Sequence, residues 1–129
     1  MLVNHIGYLV KDINKSIAEF EKLGYIRESE VYNDLDRGVA ICFIINGTVR
    51  VELVAPLAKQ SPVSNLLGKA GESPYHICYI STDIEQDIKQ LINDKYMIVV
   101  PKSPAIAFSG KQVVFLYKKY VGLIELVEE

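Results

Sequence analysis

The chain repeats itself, and this internal repeat constrains the fold more than any other feature of the sequence. When the sequence is shifted by 71 residues, seven identical pairs align over the 21 positions from His5 to Tyr25, roughly five times the number expected from ordinary composition. Later in each half the shift becomes 73, and residues 51–54 align with residues 124–127. We therefore expect two copies of one structural unit rather than two unrelated halves.

Each copy has the residue pattern of a strand, a helix and three further strands. In the first copy, Asp12 is placed as the N-cap of a helix that Gly24 ends, and Asn46-Gly47 is a strong hairpin signal between the last two strands. The pattern predicts an α+β fold made of two βαβββ repeats, each with one sheet face covered by its helix and one open face. The predicted strands are His5–Val10, Tyr25–Val31, Val39–Ile45, Thr48–Val54, Tyr75–Ile80, Tyr96–Val100, Gln112–Tyr117 and Gly122–Val127, and the predicted helices follow Asp12 and Asp83.

The repeat boundaries follow from these elements. We expect a single domain at 1–129, with repeat one at 1–56, a connector at 57–72 and repeat two at 73–129. The connector contains prolines and glycines around a short predicted helical run at Val63–Leu67.

Composition and charge exclude several classes of partner. Of the 129 residues half are hydrophobic, and the net charge is −2, so the chain can build a packed core and has no basic stripe for nucleic acid. No apolar run is long enough to span a membrane, and no export signal begins the chain. Cys42 and Cys78 lie singly in apolar runs, which favours buried free thiols. We expect a cytoplasmic protein that binds neither nucleic acid nor membrane.

The two histidines of the chain, His5 and His76, occupy the same position of the two repeats. Glu52 and Glu125 share a second position, on the last strand of each repeat. Strand alternation places all four side chains on the sheet face away from the helices. Two imidazoles and two carboxylates that converge would form an N2O2 set that suits one Ni, Co, Mn, Zn or Fe(II) ion with positions left for water or substrate.

Each of these residues alone also has an ordinary structural interpretation. A single histidine at the start of a strand is more often structural than a ligand, and a glutamate on a strand can simply face solvent. The metal interpretation depends on both residue types recurring at matched positions and on the same face.

Four segments of the chain resemble the vicinal oxygen chelate (glyoxalase/bleomycin resistance) superfamily. The resemblance implies a cupped, mostly antiparallel sheet with one divalent metal ion. The methylmalonyl-CoA epimerase and lactoylglutathione lyase (glyoxalase I) branches of the family place ligands at the positions matched by His5, Glu52, His76 and Glu125. The segments are His5-Ile6-Gly7-Tyr8 with Asp12-Ile13, Val51-Glu52-Leu53-Val54-Ala55-Pro56, Tyr75-His76-Ile77 with Asp83-Ile84-Glu85, and Ile124-Glu125-Leu126-Val127.

The family's chemistry is removal and return of a proton next to a carbonyl through a metal-stabilised enediolate. The resemblance implies that Glu125 is the catalytic base. Glu52, its repeat partner, is either a second base on the other side of the substrate carbon or only a metal ligand, and both roles are consistent with the sequence.

The epimerase branch is favoured by the connector, where a proline follows the Glu52 strand and Ser61-Pro62 opens a short helix, and by Ser109-Gly110-Lys111. One residue and one segment depart from the pattern of that branch. Ile41 stands where some bacterial epimerases have a catalytic glutamate, and residues 117–120 stand where a His-Pro-Lys sequence often follows the penultimate strand. The alternatives are a lactoylglutathione lyase and a non-catalytic antibiotic-binding resistance protein. The expected substrate is a small thioester or hemithioacetal. Because dimers are common in the family, the resemblance also predicts a homodimer.

Overall fold

The computed structural model describes the whole chain, Met1–Glu129, and contains nine β-strands and three α-helices. None of the helices has the length and apolar character needed to cross a membrane. The strands are β1 Leu2–Leu9, β2 Ile26–Arg27, β3 Tyr32–Asp34, β4 Val39–Asn46, β5 Val49–Pro56, β6 Ser73–Ser81, β7 Met97–Pro104, β8 Gln112–Lys118 and β9 Gly122–Glu128, and the helices are α1 Ile13–Lys22, α2 Ser64–Ala70 and α3 Ile84–Asn93.

The chain divides by compactness into two units. The first unit is His5–Tyr75, and the second unit is Met1–Asn4 together with His76–Glu129. The predicted connector, 57–72, lies in the first unit and carries α2. The single domain at 1–129 and the repeat boundaries stay predictions.

The first unit has the strand order β2-β4-β5-β1, with β3 also paired to β4. β1 and β5 are parallel, whereas β4 is antiparallel to its three neighbours. The Asn46-Gly47 hairpin is present, with Asn46 opposite Val49 and Gly47 at φ +60°. Ile13 and Ile17 of α1 pack into an apolar cluster with alternate residues of β4 and β5, so the helix covers one face of this sheet.

The second unit repeats this arrangement. Its strand order is β6-β9-β8-β7, with β6 and β9 parallel and the other pairs antiparallel. Ile84 of α3 is buried against alternate residues of β8 and β9. The predicted α+β fold of two βαβββ repeats with mostly antiparallel pairing is confirmed, and the first copy carries one additional short strand, β3.

The predicted strand Tyr25–Val31 is reduced to the two residues of β2. The cause is local: the Ser29 hydroxyl, rather than a backbone carbonyl, accepts the hydrogen bond from the Phe43 backbone N–H at 2.9 Å. A side chain that replaces a ladder partner ends regular pairing. β3 then forms at Tyr32–Asp34, where the sequence analysis predicted no strand.

The polar segment Asp34–Arg37 is partly structured. Asp34 ends β3, is buried, and accepts hydrogen bonds from the backbone and the guanidinium of Arg37.

Both main helices begin at the predicted aspartate N-caps. Asp12 accepts a hydrogen bond from the Lys15 backbone N–H at 3.0 Å, and Asp83 accepts one from Gln86 at 3.1 Å. Each carboxylate satisfies a backbone donor that the first helical turn leaves without an intrahelical partner.

We expect Asp12→Ala and Asp83→Ala each to lower the free energy of unfolding by about 1 kcal/mol, measured by urea denaturation. Asp36→Ala is the control, because Asp36 is an exposed aspartate outside the helices. An equal loss in all three variants would contradict a capping role.

Cys42 and Cys78 are free and buried, as predicted. Burial raises the pKa of the Cys42 thiol, whose Sγ donates a hydrogen bond to the Ser29 carbonyl at 3.5 Å. Because the thiolate is the reactive species, a raised pKa together with complete burial suppresses reactivity.

In the native protein we therefore expect Cys42 to react with a chromogenic disulfide reagent at pH 8 far more slowly than in the unfolded chain. The control is the same titration in denaturant, where both thiols of each chain should react. Rapid reaction of the native protein would show that the thiol is accessible.

Candidate metal centre

In the first unit, His5 and Glu52 form a buried pair. On β5, Val51 and Leu53 belong to the apolar cluster under α1, so Glu52 faces the other side of the sheet. The parallel register aligns Gly7 with Glu52, which sets His5 two residues earlier on β1 and on the same face. The Nε2 atom of His5 lies 3.6 Å from Oε1 of Glu52.

The second unit holds the equivalent pair, His76 and Glu125. Ile124 and Leu126 lie in the apolar cluster with α3, so Glu125 faces away from that helix. Here the register aligns Cys78 with Glu125, again two residues after the histidine. The Nε2 atom of His76 lies 3.0 Å from Oε2 of Glu125.

An aromatic ring supports each histidine, and sequence reasoning missed both rings. Phe43 packs edge-on against His5 at a centroid distance of 5.4 Å, and Phe115 packs the same way against His76 at 5.1 Å. Phe43 lies directly opposite Glu52 and Phe115 directly opposite Glu125. The two phenylalanines are 72 residues apart in the sequence, so a search between the shifts of 71 and 73 would have found them.

A further apolar cluster borders the second pair. Cys78 and Val127 lie two residues beyond His76 and Glu125 on the same strands, and both belong to this cluster. Since alternate residues share a face, the cluster adjoins the His76–Glu125 pair. Its other members are Ala105 and Val113, with Ile80 and Phe108 packed against them.

The four predicted ligands are all buried: His5 is 1% exposed, Glu52 4%, His76 3% and Glu125 3%. Each pair buries a carboxylate beside an imidazole, and a charge buried without compensation is costly. A divalent cation supplies the matching charge, and imidazole with carboxylate is a donor set that transition metals accept. This buried His/Glu cluster therefore suits a divalent metal ion.

A metal that binds only the folded chain stabilises it. We expect loading with a divalent transition metal to raise the melting temperature on the order of 5–10 °C over the chelator-treated protein at saturating metal, measured by scanning calorimetry. Glu19→Gln, at an exposed glutamate on α1, is the control and should keep the full shift. Equal melting temperatures with and without metal would contradict a metal centre.

The fold and the paired site define the class of protein. The family model for the Glyoxalase/Bleomycin resistance protein/Dioxygenase superfamily matches residues 4–115. This match covers most of the chain, so the protein belongs to that superfamily, as the resemblance implied.

Several individual proteins that are similar to this chain are methylmalonyl-CoA epimerases. The mitochondrial methylmalonyl-CoA epimerase of Dictyostelium discoideum is 30% identical over 130 residues, which cover 98% of this chain and 78% of the relative. The methylmalonyl-CoA epimerase structure from Mycobacterium tuberculosis has a TM-score of 0.84 at 23% identity, covering 98% of this chain and 86% of that one. The structure of a methylmalonyl-CoA epimerase in complex with methylmalonyl-CoA and NH4+ has a TM-score of 0.85 at 23% identity, and the match covers 99% of this chain and 94% of that one. These two structures share the fold.

Proposed function

We propose that the protein is a divalent-metal-dependent epimerase that removes and returns the α-proton of an acyl-CoA thioester, with methylmalonyl-CoA as the candidate substrate. The observation that carries the proposal is the buried His–Glu pair at equivalent positions of both repeats, in a chain similar to methylmalonyl-CoA epimerase over 98% of its length.

His5, Glu52, His76 and Glu125 would hold one metal ion together. In support, each unit buries one imidazole nitrogen within 4 Å of one carboxylate oxygen. Ni, Co, Mn, Zn and Fe(II) all accept such a set. When bound, the ion supplies a Lewis acid that stabilises negative charge on the thioester carbonyl oxygen.

Proton transfer falls to the two glutamates. Glu125 removes the α-proton, and the conjugate acid of Glu52 delivers a proton to the opposite face, which inverts the carbon. Each carboxylate has two oxygens, so one that contacts a metal ion through one oxygen can still exchange a proton at the other. Ile41 is buried on the same strand and face as Phe43 and has no titratable group, so it cannot act as the second base, and we assign that role to Glu52.

The surroundings of the glutamates favour this chemistry. Phe43 and Phe115 pack edge-on against the imidazole rings, and both glutamates are almost completely buried. A carbanion-like centre is protected from unwanted protonation when bulk water is excluded.

The lactoylglutathione lyase alternative is not favoured, because the similar proteins reported above are epimerases. The complete set of buried ligands argues against a non-catalytic antibiotic-binding protein. Homodimerisation and a cytoplasmic location stay predictions.

Solvent exchange of a single substrate epimer tests the two-base mechanism. In D2O, the unmodified protein should replace the α-proton of either epimer of methylmalonyl-CoA with deuterium, as observed by NMR. Glu125→Gln should slow exchange from one epimer by at least about 100-fold, and Glu52→Gln should do so from the other. Glu19→Gln is the matched control, since it removes a carboxylate that is 70% exposed.

Metal content, measured on the same samples, separates the two roles of Glu52. Slowed exchange with metal retained identifies Glu52 as a base, whereas slowed exchange with metal lost shows that Glu52 is needed to hold the metal. Full exchange by both variants with metal retained would refute the proposed mechanism.

A further inference from the structure

An arginine lies beside the first His–Glu pair, and neither the repeat nor the metal set accounts for it. Arg50 precedes Glu52 by two residues on β5, so both side chains face away from α1, about 7 Å apart along the strand. The parallel register of β1 and β5 pairs Ile6 with Val51, and its continuation by one residue sets Arg50 alongside His5.

A glutamate holds the Arg50 guanidinium by one edge. Nε donates to Oε1 of Glu28 at 2.6 Å, and Nη2 donates to Oε2 at 3.2 Å. Glu28 is in turn placed by its backbone N–H, which donates to the Phe43 carbonyl at 2.9 Å. The arrangement is therefore built onto the same strand, β4, that carries the ring packed against His5.

The pair remains fully ionised near neutral pH. The hydrogen bond from Arg50 lowers the pKa of Glu28, and the hydrogen bond to Glu28 raises the pKa of Arg50. Glu28 occupies only the Nε/Nη2 edge of the guanidinium, and Glu28 is the one protein partner of that group. The Nη1/Nη2 edge, which carries two parallel N–H donors, remains available to an oxyanion.

The second unit has no counterpart to this charge. The position equivalent to Arg50 is Leu123, by the shift of 73 that aligns Glu52 with Glu125. A feature needed to hold the metal would be expected in both repeats, as the His–Glu pair is. A feature that recognises one end of an asymmetric substrate is needed in only one.

We propose that the free edge of the Arg50 guanidinium binds an anionic group of the thioester substrate, either its carboxylate or a phosphate of its CoA, and that Glu28 is a positioning residue for Arg50. This inference rests on the proposed function for the substrate class. The planar guanidinium of Arg50 is already held in place by the Glu28 carboxylate. It therefore loses little conformational freedom when it binds a second oxyanion through two parallel hydrogen bonds.

Direct binding to the metal-loaded protein tests the assignment. Arg50→Gln should weaken binding of succinyl-CoA, measured by titration calorimetry, on the order of 10- to 100-fold, the range for a hydrogen bond to a charged group. Arg50→Lys should recover part of the loss, because it keeps the charge without the fork. Glu28→Gln should raise KM for methylmalonyl-CoA several-fold with kcat little changed, the pattern of a residue that acts on binding.

Lys22→Gln is the charge-matched control. Lys22 pairs with Glu19 on α1, and both side chains are 70% exposed. This variant should keep the affinity of the unmodified protein. An equal loss in Arg50→Gln and Lys22→Gln would reflect net charge alone and would overturn the proposal.

Two further probes identify the anionic group. Propionyl-CoA has the phosphates without a second carboxylate, and the N-acetylcysteamine thioester of succinate has the carboxylate without phosphates. A loss in Arg50→Gln confined to propionyl-CoA and succinyl-CoA assigns Arg50 to a phosphate, whereas a loss confined to the two succinyl thioesters assigns it to the carboxylate. Unchanged affinity for all three probes, with circular dichroism and metal content preserved, would overturn the inference.

The two proposals can fail separately. If the unmodified protein exchanges the α-proton while Arg50→Gln keeps full affinity, only the role of Arg50 is wrong. If thioesters bind through Arg50 and no exchange occurs, only the proposed chemistry is wrong. If no CoA thioester binds the unmodified protein, both are wrong.

Discussion

The burial of two carboxylates, each against one imidazole, is the interaction on which the rest of this structure depends. An ionised carboxylate taken out of water costs several kcal/mol unless a partner of opposite charge or a metal compensates it. Glu52 and Glu125 are both nearly inaccessible, and each has a histidine nitrogen within 4 Å. A purely structural core would be better served by apolar residues of the same volume, so the carboxylates indicate a use for charge at this depth.

The βαβββ topology places the histidine and the glutamate in the same way in both units. In each unit the first and last strands are neighbours and parallel, and the residue two beyond the histidine is in register with the glutamate. The helix of each unit covers the opposite face, since the residues on either side of each glutamate pack into the helix-facing clusters. Strand alternation therefore separates a hydrophobic face that stabilises the fold from a face that carries the chemistry.

The sequence predicts the strands, the helices and the positions of the two His–Glu pairs well, because these features depend on short-range patterns and on the internal repeat. Alternation, the aspartate caps and the Asn46-Gly47 turn each act within a few residues, and the repeat relates the two histidines and the two glutamates directly. The short β2 was not predictable, because a single hydroxyl, that of Ser29, replaces a ladder partner 14 residues away. The Arg50–Glu28 pair joins residues 22 apart, one on β5 and the other directly after β2, and no local pattern indicates which glutamate an arginine will meet.

The departure from symmetry at Arg50 agrees with the role that we propose for it in binding one end of the substrate. In the proposed mechanism, inversion of a carbon needs a proton-transfer group on each of its two sides, and the repeated unit offers Glu52 and Glu125 for these roles. The substrate, however, has an anionic end that must be held in one orientation while its reacting carbon is presented to both groups. The repeated unit supplies the first requirement, and we propose that Arg50, whose counterpart in the second repeat is Leu123, supplies the second. In this proposal the two symmetric His–Glu pairs act on the reacting carbon, and the single arginine fixes the orientation of the substrate.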